Sequence, residues 1–573
     1  MNTTPPQPST LGRDITNPLV VDVLILMGLS LLALAAFYVT PEFAANLPQD
    51  GADFAVPAVN LLERGQLVKS AFGYDFPLAH PVGMPLLLVP AYVFFGHALG
   101  NGVYAILLCA LGTIALTYYL GLKLGGRWCG CFATLFLITN YGFWQYSQKI
   151  MSEVPSAFLV MAVLALLLSI RDRKQPGLTC VAAGTVMAFA VSIRYDNLLA
   201  MGPAMLLLLW DGPWAQRFRR GVFLMLGLAP WLVSLAVYHQ VQFGSPLRTG
   251  LNYYINTKDA AHPVFSAKYI GTTSFLKTRG FETRFAGMIE GNGPFYARSL
   301  LTEGDTTRVF GHPLYWQLPG RTTYQALVLF RTGLGALGLL VCLKVWRSNY
   351  LRRQFVLWLA ASTLVTVSFY LLYFWQEERY LVRFVPLFCV ANGIGATELS
   401  TRCLAKAVRI TWAVVFSMLI AAFAFYNWQM GFPNGNDSQL HETLALAAQQ
   451  TDSNAVVVTN FEPFRLNAYL IQGTRRLAVP LARNNAVAIF LEGSSTQTVV
   501  CPFVAVENPE RLGVFLDSGR PVYWLINNPW SGEPLVDLNA LEKSFRLQVL
   551  ATASVNGNDV PYFGLIHKLA PKS

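Results

Sequence analysis

Residues 19–39 read LVVDVLILMGLSLLALAAFYV, an apolar run of 21 residues. Signal-peptide apolar cores run to only about 15 residues, whereas about 20 apolar residues cross a hydrocarbon core. The run therefore reads as a retained membrane span. Comparable runs recur as far as Trp428, and the 573-residue chain is 54% hydrophobic but only 13% charged. Soluble domains carry about 25% charged residues, so a mean hydropathy of +0.42 means that much apolar surface never needs hiding from water. The composition predicts an all-α polytopic membrane protein and excludes a soluble enzyme, a disordered hub and a nucleic-acid reader.

Working outward, apolar runs and their punctuation give eleven spans, near 19–39, 101–121, 128–145, 153–170, 178–193, 196–210, 220–241, 323–343, 354–374, 380–398 and 410–429. Fifteen basic residues then fall in five short connections: Lys123 and Arg127; Arg171, Arg173 and Lys174; Arg217, Arg219 and Arg220; Lys344, Arg347, Arg352 and Arg353; Arg402, Lys406 and Arg409. Basic residues concentrate in cytoplasmic loops. All five connections share the side of the amino terminus, which places that terminus inside and the C-terminal region outside the cell (inner) membrane. The scheme holds only if Gly83–Gly96 does not span. At 14 residues it suits an interfacial helix better than a crossing, and counting it as a span would invert every later loop. The centres of the spans are read as nearly free of ionisable residues.

The expected organisation is a cytoplasmic segment 1–18, a transmembrane domain 19–430 with outer loops 40–100 and 242–322, and an extracytoplasmic domain 431–573. In the last, Ala455–Thr459, Val522–Ile526 and Phe545–Leu550 are rich in β-forming residues and alternate with the helical composition of Leu440–Gln450, which predicts a small α/β unit. Most of the eight cysteines sit in or beside apolar runs. Cys129 and Cys131 form a CxC pair with no second pair or nearby His, so they read as small buried hydrophobes rather than zinc ligands.

Polar residues gather on the predicted outer side. Asp50 and Asp53 open a segment that becomes helical in pattern and ends at Gly65; as exposed helix-start residues they serve either as caps or as carboxylates poised for base chemistry near the membrane surface. Glu153 begins a span beside Pro155. Arg194-Tyr195-Asp196 forms a short outer turn. Trp375–Pro386 carries Glu377, Glu378, Arg379, Tyr380 and Arg383. These residues read either as an interfacial ion-pair cluster or as a phosphate grip, because guanidinium forms paired bonds to phosphate oxygens.

The stretch His80-Pro81-Val82-Gly83-Met84-Pro85, following an acidic outer loop, resembles the GT-C glycosyltransferases, most closely the bacterial protein-mannosyltransferase-like and aminoarabinose-transferase-like branch. Asp50 matches the acid of that family's first outer loop, followed by Phe54 and Ala58; Gly51 replaces the usual neighbouring acid and Asp53 is an extra one. Ser152-Glu153-Val154-Pro155, Phe243-Gly244-Ser245-Pro246 and Arg379-Tyr380 with Pro386 resemble three further motifs, in the family's order. The resemblance covers roughly residues 19–430.

It implies inverting transfer of a sugar from a polyprenyl-phosphate carrier to a glycan, lipid or protein acceptor on the outer face, with membrane lipid and no nucleic acid as partners. Asp50 is the expected base, with Glu153 supporting it or holding a metal and Asp53 as a further catalytic carboxylate. Arg194, Arg379, Tyr380 and His80 are the expected donor-binding groups, with a divalent metal ion as the alternative to arginine at the phosphate. His239, His262 and His312, scattered along the chain, read as ordinary loop or interface residues. The competing readings are a flippase or transporter of lipid-linked sugars and a lipid-linked oligosaccharide polymerase or ligase.

Overall fold

The computed structural model describes residues 18–39, 49–71, 74–78, 80–170, 176–210, 213–247, 249–250, 285–302, 321–371 and 377–402. In the C-terminal region it describes 446–460, 476–481, 505–506, 509–526, 533–555 and 558–569, with isolated residues 418, 421, 422 and 444. The chain begins with α1 (Pro18–Phe37), then α2 (Gln49–Arg64), a short antiparallel pair β1 (Lys69–Ala71) and β2 (Tyr74–Phe76), and α3 (Gly83–Phe95). There follow α4 (Val103–Gly125), α5 (Arg127–Ile138), α6 (Tyr141–Ser147), α7 (Glu153–Ser169), α8 (Pro176–Ile193), α9 (Asn197–Trp210) and α10 (Trp214–Phe243). Then come α11 (Phe285–Leu301), α12 (Arg321–Lys344), α13 (Tyr350–Leu371), a 3-10 turn (Glu378–Phe384) and α14 (Val385–Arg402).

Among the described residues seven helices are long and apolar enough to cross a membrane: α1, α4 with its leading turn, α8, α10, α12, α13, and α14 with the turn before it. They answer to seven of the eleven expected spans. The span expected at 153–170 is the 17-residue α7, and that at 196–210 is the 14-residue α9. The run 128–145 is not one helix. It breaks at Thr139-Asn140, where the Asn140 side chain accepts the Phe143 N–H at 3.0 Å and starts α6. At 12 residues α5 is about 18 Å long, too short to cross alone. The last expected span, 410–429, lies almost wholly outside the described residues. As expected, Gly83–Gly96 forms a short helix of 13 residues.

One expectation about the span interiors needs correcting. Arg331 lies in the middle of α12 and is fully buried. A hydropathy window tolerates one such residue when the flanking leucines and alanines dominate it.

The helices share one hydrophobic core. Their ends sort into two groups. At one end Arg127 reaches the Pro18 carbonyl, and the Arg352 guanidinium donates to the Leu124 carbonyl at 2.8 Å, so two of the basic connections and the start of α1 meet there. At the other end Gly83, the first residue of α3, lies against Ser192 near the end of α8: a Cβ on Gly83 would sit 2.3 Å from Ser192 Oγ. Only glycine permits that approach, and it seats the α3 start beside the α8–α9 turn. Gly65, with φ +66°, closes α2.

The C-terminal residues build β3 (Val456–Thr459), β4 (Leu477–Pro480), α15 (Pro509–Asp517), β5 (Val522–Leu525), α16 (Glu533–Glu542), β6 (Phe545–Val555) and β7 (Asn558–Lys568). The sheet order is β4-β3-β5-β7-β6; β4, β3 and β5 are parallel, and β7 pairs antiparallel with β5 and β6. The short central strands are buried on both faces, as parallel strands flanked by helices are, and enclose a core of their own around Val458, Val522 and Trp524.

Candidate active site

Seven residues selected from the sequence, spread over more than three hundred positions, meet at one end of the helical bundle. Asp50, in the first turn of α2, accepts from Arg379 Nη1 at 2.6 Å and lies 3.6 Å from His80 Nε2. Glu153, the first residue of α7 and 2% exposed, accepts from Arg194 Nη1 at 2.9 Å, with Arg379 Nε 3.8 Å away. One guanidinium, that of Arg379, thus faces both carboxylates. It is also paired with Glu377.

Tyr380 is sandwiched rather than projecting. Its ring stacks on Tyr370 at 4.3 Å with planes 5° apart, and the guanidiniums of Arg194 and Arg379 lie 5.4 and 5.8 Å from its centroid. Cation–π attraction of this kind fixes planar guanidiniums in place. Asp196 holds the other side of Arg194, at 3.1 Å from Nε, and accepts from Arg383 and from the Tyr370 hydroxyl. Arg383, 2% exposed, donates to Asn197 Oδ1 at 2.8 Å and to the Tyr380 carbonyl. The 3-10 turn and the α8–α9 turn are thereby locked together.

Asp53 differs from Asp50. It is buried and receives Lys69 Nζ at 2.8 Å, with side-chain exposures of 8% and 3% for the two partners; Lys69 comes from β1. Asp53 Oδ2 also lies 3.5 Å from His80 Nε2. The pair is a structural tie between α2 and the β1–β2 hairpin. Lys69, Tyr370 and Asn197 were not singled out in the sequence. A lone lysine after a helix and a tyrosine at a span end carry no local signal, and their partners are fixed only by tertiary contact.

The electrostatics follow. For Asp50, burial alone pushes the carboxyl up, but His80 and the Arg379 guanidinium outweigh it and hold the group well below the usual carboxylate range. An exposed helix-start Asp near its ordinary value, as expected from the sequence, is therefore not what forms. Asp196 behaves alike: burial raises it, while Arg194 and Arg383 pull it strongly down. Arg194, despite burial, is held well above the usual value by Asp196, the Tyr370 hydroxyl and Glu153. Among the described residues of the site, Glu153 Oε2 is buried with no hydrogen-bond partner. Buried acceptors left unpaired cost about 1–3 kcal/mol.

The resemblance also allows a divalent metal ion at the phosphate. Among the described residues no group of three or more His, Cys, Asp or Glu is placed to hold one, and guanidiniums already occupy the carboxylates. His239 instead meets the Tyr195 hydroxyl at 2.9 Å and the Pro246 carbonyl at 3.2 Å, tying the Phe243–Pro246 motif to the Arg194 turn. His262 and His312 lie outside the described residues.

Residues 305–460 match the family model of the Alg9-like mannosyltransferases. No curated protein matches the chain. Among solved structures, apo ArnT from Cupriavidus metallidurans superposes with a TM-score of 0.55 at 13% identity, covering 96% of this chain and 98% of that one. The chain has the fold of the GT-C glycosyltransferases. ArnT bound to undecaprenyl phosphate gives 0.53 at 12% identity over 96% of this chain and 98% of that one. The archaeal oligosaccharyltransferase AglB from Archaeoglobus fulgidus, in complex with an inhibitory peptide and a dolichol-phosphate, gives 0.53 at 12% over 80% of this chain and 64% of that one. The fold and the helices long enough to cross a membrane make it a multi-pass membrane protein.

Proposed function

We propose that this chain is an inverting glycosyltransferase that moves a sugar from a polyprenyl-phosphate carrier to a lipid, glycan or protein acceptor on the outer face of the membrane. The observation that carries the reading is Arg379, a guanidinium set between Asp50 and Glu153 at the end of the bundle away from the Arg127 and Arg352 contacts. ArnT and AglB bound to polyprenyl-type phosphates support the choice of donor.

The chemistry follows from the charges. A phosphate headgroup competes with Asp50 for Arg379, and Arg194 stands beside it on the same Tyr380 ring. Once the phosphate takes the guanidinium, Asp50 loses its nearest cation and its basicity rises. It then accepts the acceptor hydroxyl proton as that oxygen attacks the anomeric carbon. The bond from that carbon to the phosphate oxygen breaks, and the arginines stabilise the charge gained by the leaving phosphate. Glu153 Oε2 supplies an acceptor for a substrate hydroxyl. Domains 19–430 and 431–573 are proposed as the catalytic and outer units.

The test is consumption of donor. The purified chain is incubated with a panel of polyprenyl-phosphate sugars labelled in the sugar, with membrane lipid extract and envelope glycan as acceptors. Loss of label from the carrier with release of free polyprenyl phosphate is expected. No consumption of any donor by folded protein refutes the reading.

A further inference from the structure

A second site lies far from the first. A cavity of about 620 Å³ opens along the first half of α10, with Trp214, Arg217, Phe218, Arg220, Met225 and Ala229 among its lining. That volume falls within the range of about 300–1,000 Å³ usual for ligand pockets. Trp214 and Phe218 are 77% and 64% exposed, whereas Arg220 is buried although charged. The rim is thus basic and aromatic, and the floor toward Ala229 is apolar.

The height of this rim follows from the helix. His239, which touches the active-site turn through Tyr195, lies 19 residues beyond Arg220 on the same continuous helix. At 1.5 Å per residue that is about 29 Å, close to the thickness of a hydrocarbon core, about 30 Å. The arginine rim therefore lies at the opposite headgroup layer from Asp50 and Arg379. A donor whose phosphate reacts at the first site does not fill the second.

We infer that the α10 cavity binds an anionic phospholipid of the opposite leaflet, its phosphate on Arg217 and Arg220 and an acyl chain along Phe218, Met225 and Ala229. Charge selects the occupant. Basic pockets among membrane helices recruit anionic headgroups, each Lys or Arg contributing appreciably near the surface, and tryptophan favours the interface itself. A lipid with a zwitterionic head fills the apolar floor equally but gains no net charge attraction from the rim.

Native mass spectrometry of the full chain tests this, after titration with phosphatidylglycerol or with phosphatidylcholine of the same acyl chains. One phosphatidylglycerol retained in preference to phosphatidylcholine is expected. Arg217→Gln/Arg220→Gln should weaken that binding by roughly ten- to thirtyfold, while Arg347→Gln/Arg353→Gln, in a different basic connection, leaves it unchanged. Met225→Trp narrows the acyl-chain path from an exposed position and should weaken lipid retention with the arginines intact. Equal retention of both lipids, or undiminished phosphatidylglycerol binding in either cavity variant, overturns the assignment. The readout is lipid occupancy, so it stands or falls apart from glycosyl transfer.

Discussion

Asp50 and Asp53 lie one helical turn apart and pair with different cations, Arg379 and Lys69, so substitution separates the roles proposed for them. Asp53→Asn keeps the volume and removes the charge. Lys69 then remains at 3% side-chain exposure without the Asp53 carboxylate. Removing one partner of a buried ion pair costs about 3–5 kcal/mol, whereas replacing both by apolar groups is often nearly neutral. Asp53→Asn should therefore lower the thermal unfolding temperature of the detergent-solubilised protein clearly. Asp53→Leu/Lys69→Met should recover most of the loss, and transfer per folded molecule should return with it. The assay is unfolding followed by intrinsic tryptophan fluorescence, alongside turnover measured well below the transition. If Asp53→Asn is as stable as the wild type yet loses transfer a hundredfold or more, Asp53 is the base and the structural tie is wrong.

Three further outcomes follow. Arg379→Lys keeps the charge but loses the planar fork shared between Asp50 and Glu153, so polyprenyl-phosphate affinity should fall at least about tenfold, a loss near 1.4 kcal/mol; unchanged affinity in equilibrium binding returns Arg379 to an anchoring role. The Asp50 carboxyl is held below its ordinary value by His80 and Arg379, so its stabilising contribution is present above the unfolded value of about 3.9 and disappears as pH falls through the lower folded value. The unfolding-temperature gap between wild type and Asp50→Asn should hold from pH 7 to about 5 and shrink only at stronger acidity; a gap that widens on acidification contradicts the pairing. A cysteine placed near Lys568 should label from outside intact cells with an impermeant reagent, because the basic connections mark the inside; labelling only after lysis reverses the topology.

Much of this architecture is legible in the sequence because its signals are local. Span length, the alternation of basic connections, Gly65 after an amphipathic stretch and the acids at helix starts each depend on a few neighbouring residues. The site was legible for a related reason. Asp50, Glu153, Arg194 and Arg379 all sit at helix ends on one predicted side, and a bundle brings such ends together. What stayed hidden depends on distant partners. The Lys69–Asp53 pair needs the hairpin folded back on α2, and the stacking of Tyr370 on Tyr380 needs α13 beside the 3-10 turn. The break at Asn140 escaped because apolar residues continue on both sides of it, so hydropathy sees one run where the capping geometry makes two helices.

The central claim is that Asp50 takes the acceptor proton while the arginines hold the donor. Single-turnover transfer by Asp50→Asn, with purified chain, labelled polyprenyl-phosphate sugar and a competent acceptor, tests it most directly. Asn preserves size but accepts no proton, so the rate should fall by roughly 10²–10⁴-fold, while donor binding stays within a few-fold of wild type or tightens as Arg379 is released from its carboxylate. Near-wild-type turnover, or a loss that comes entirely from failed donor binding, contradicts the account.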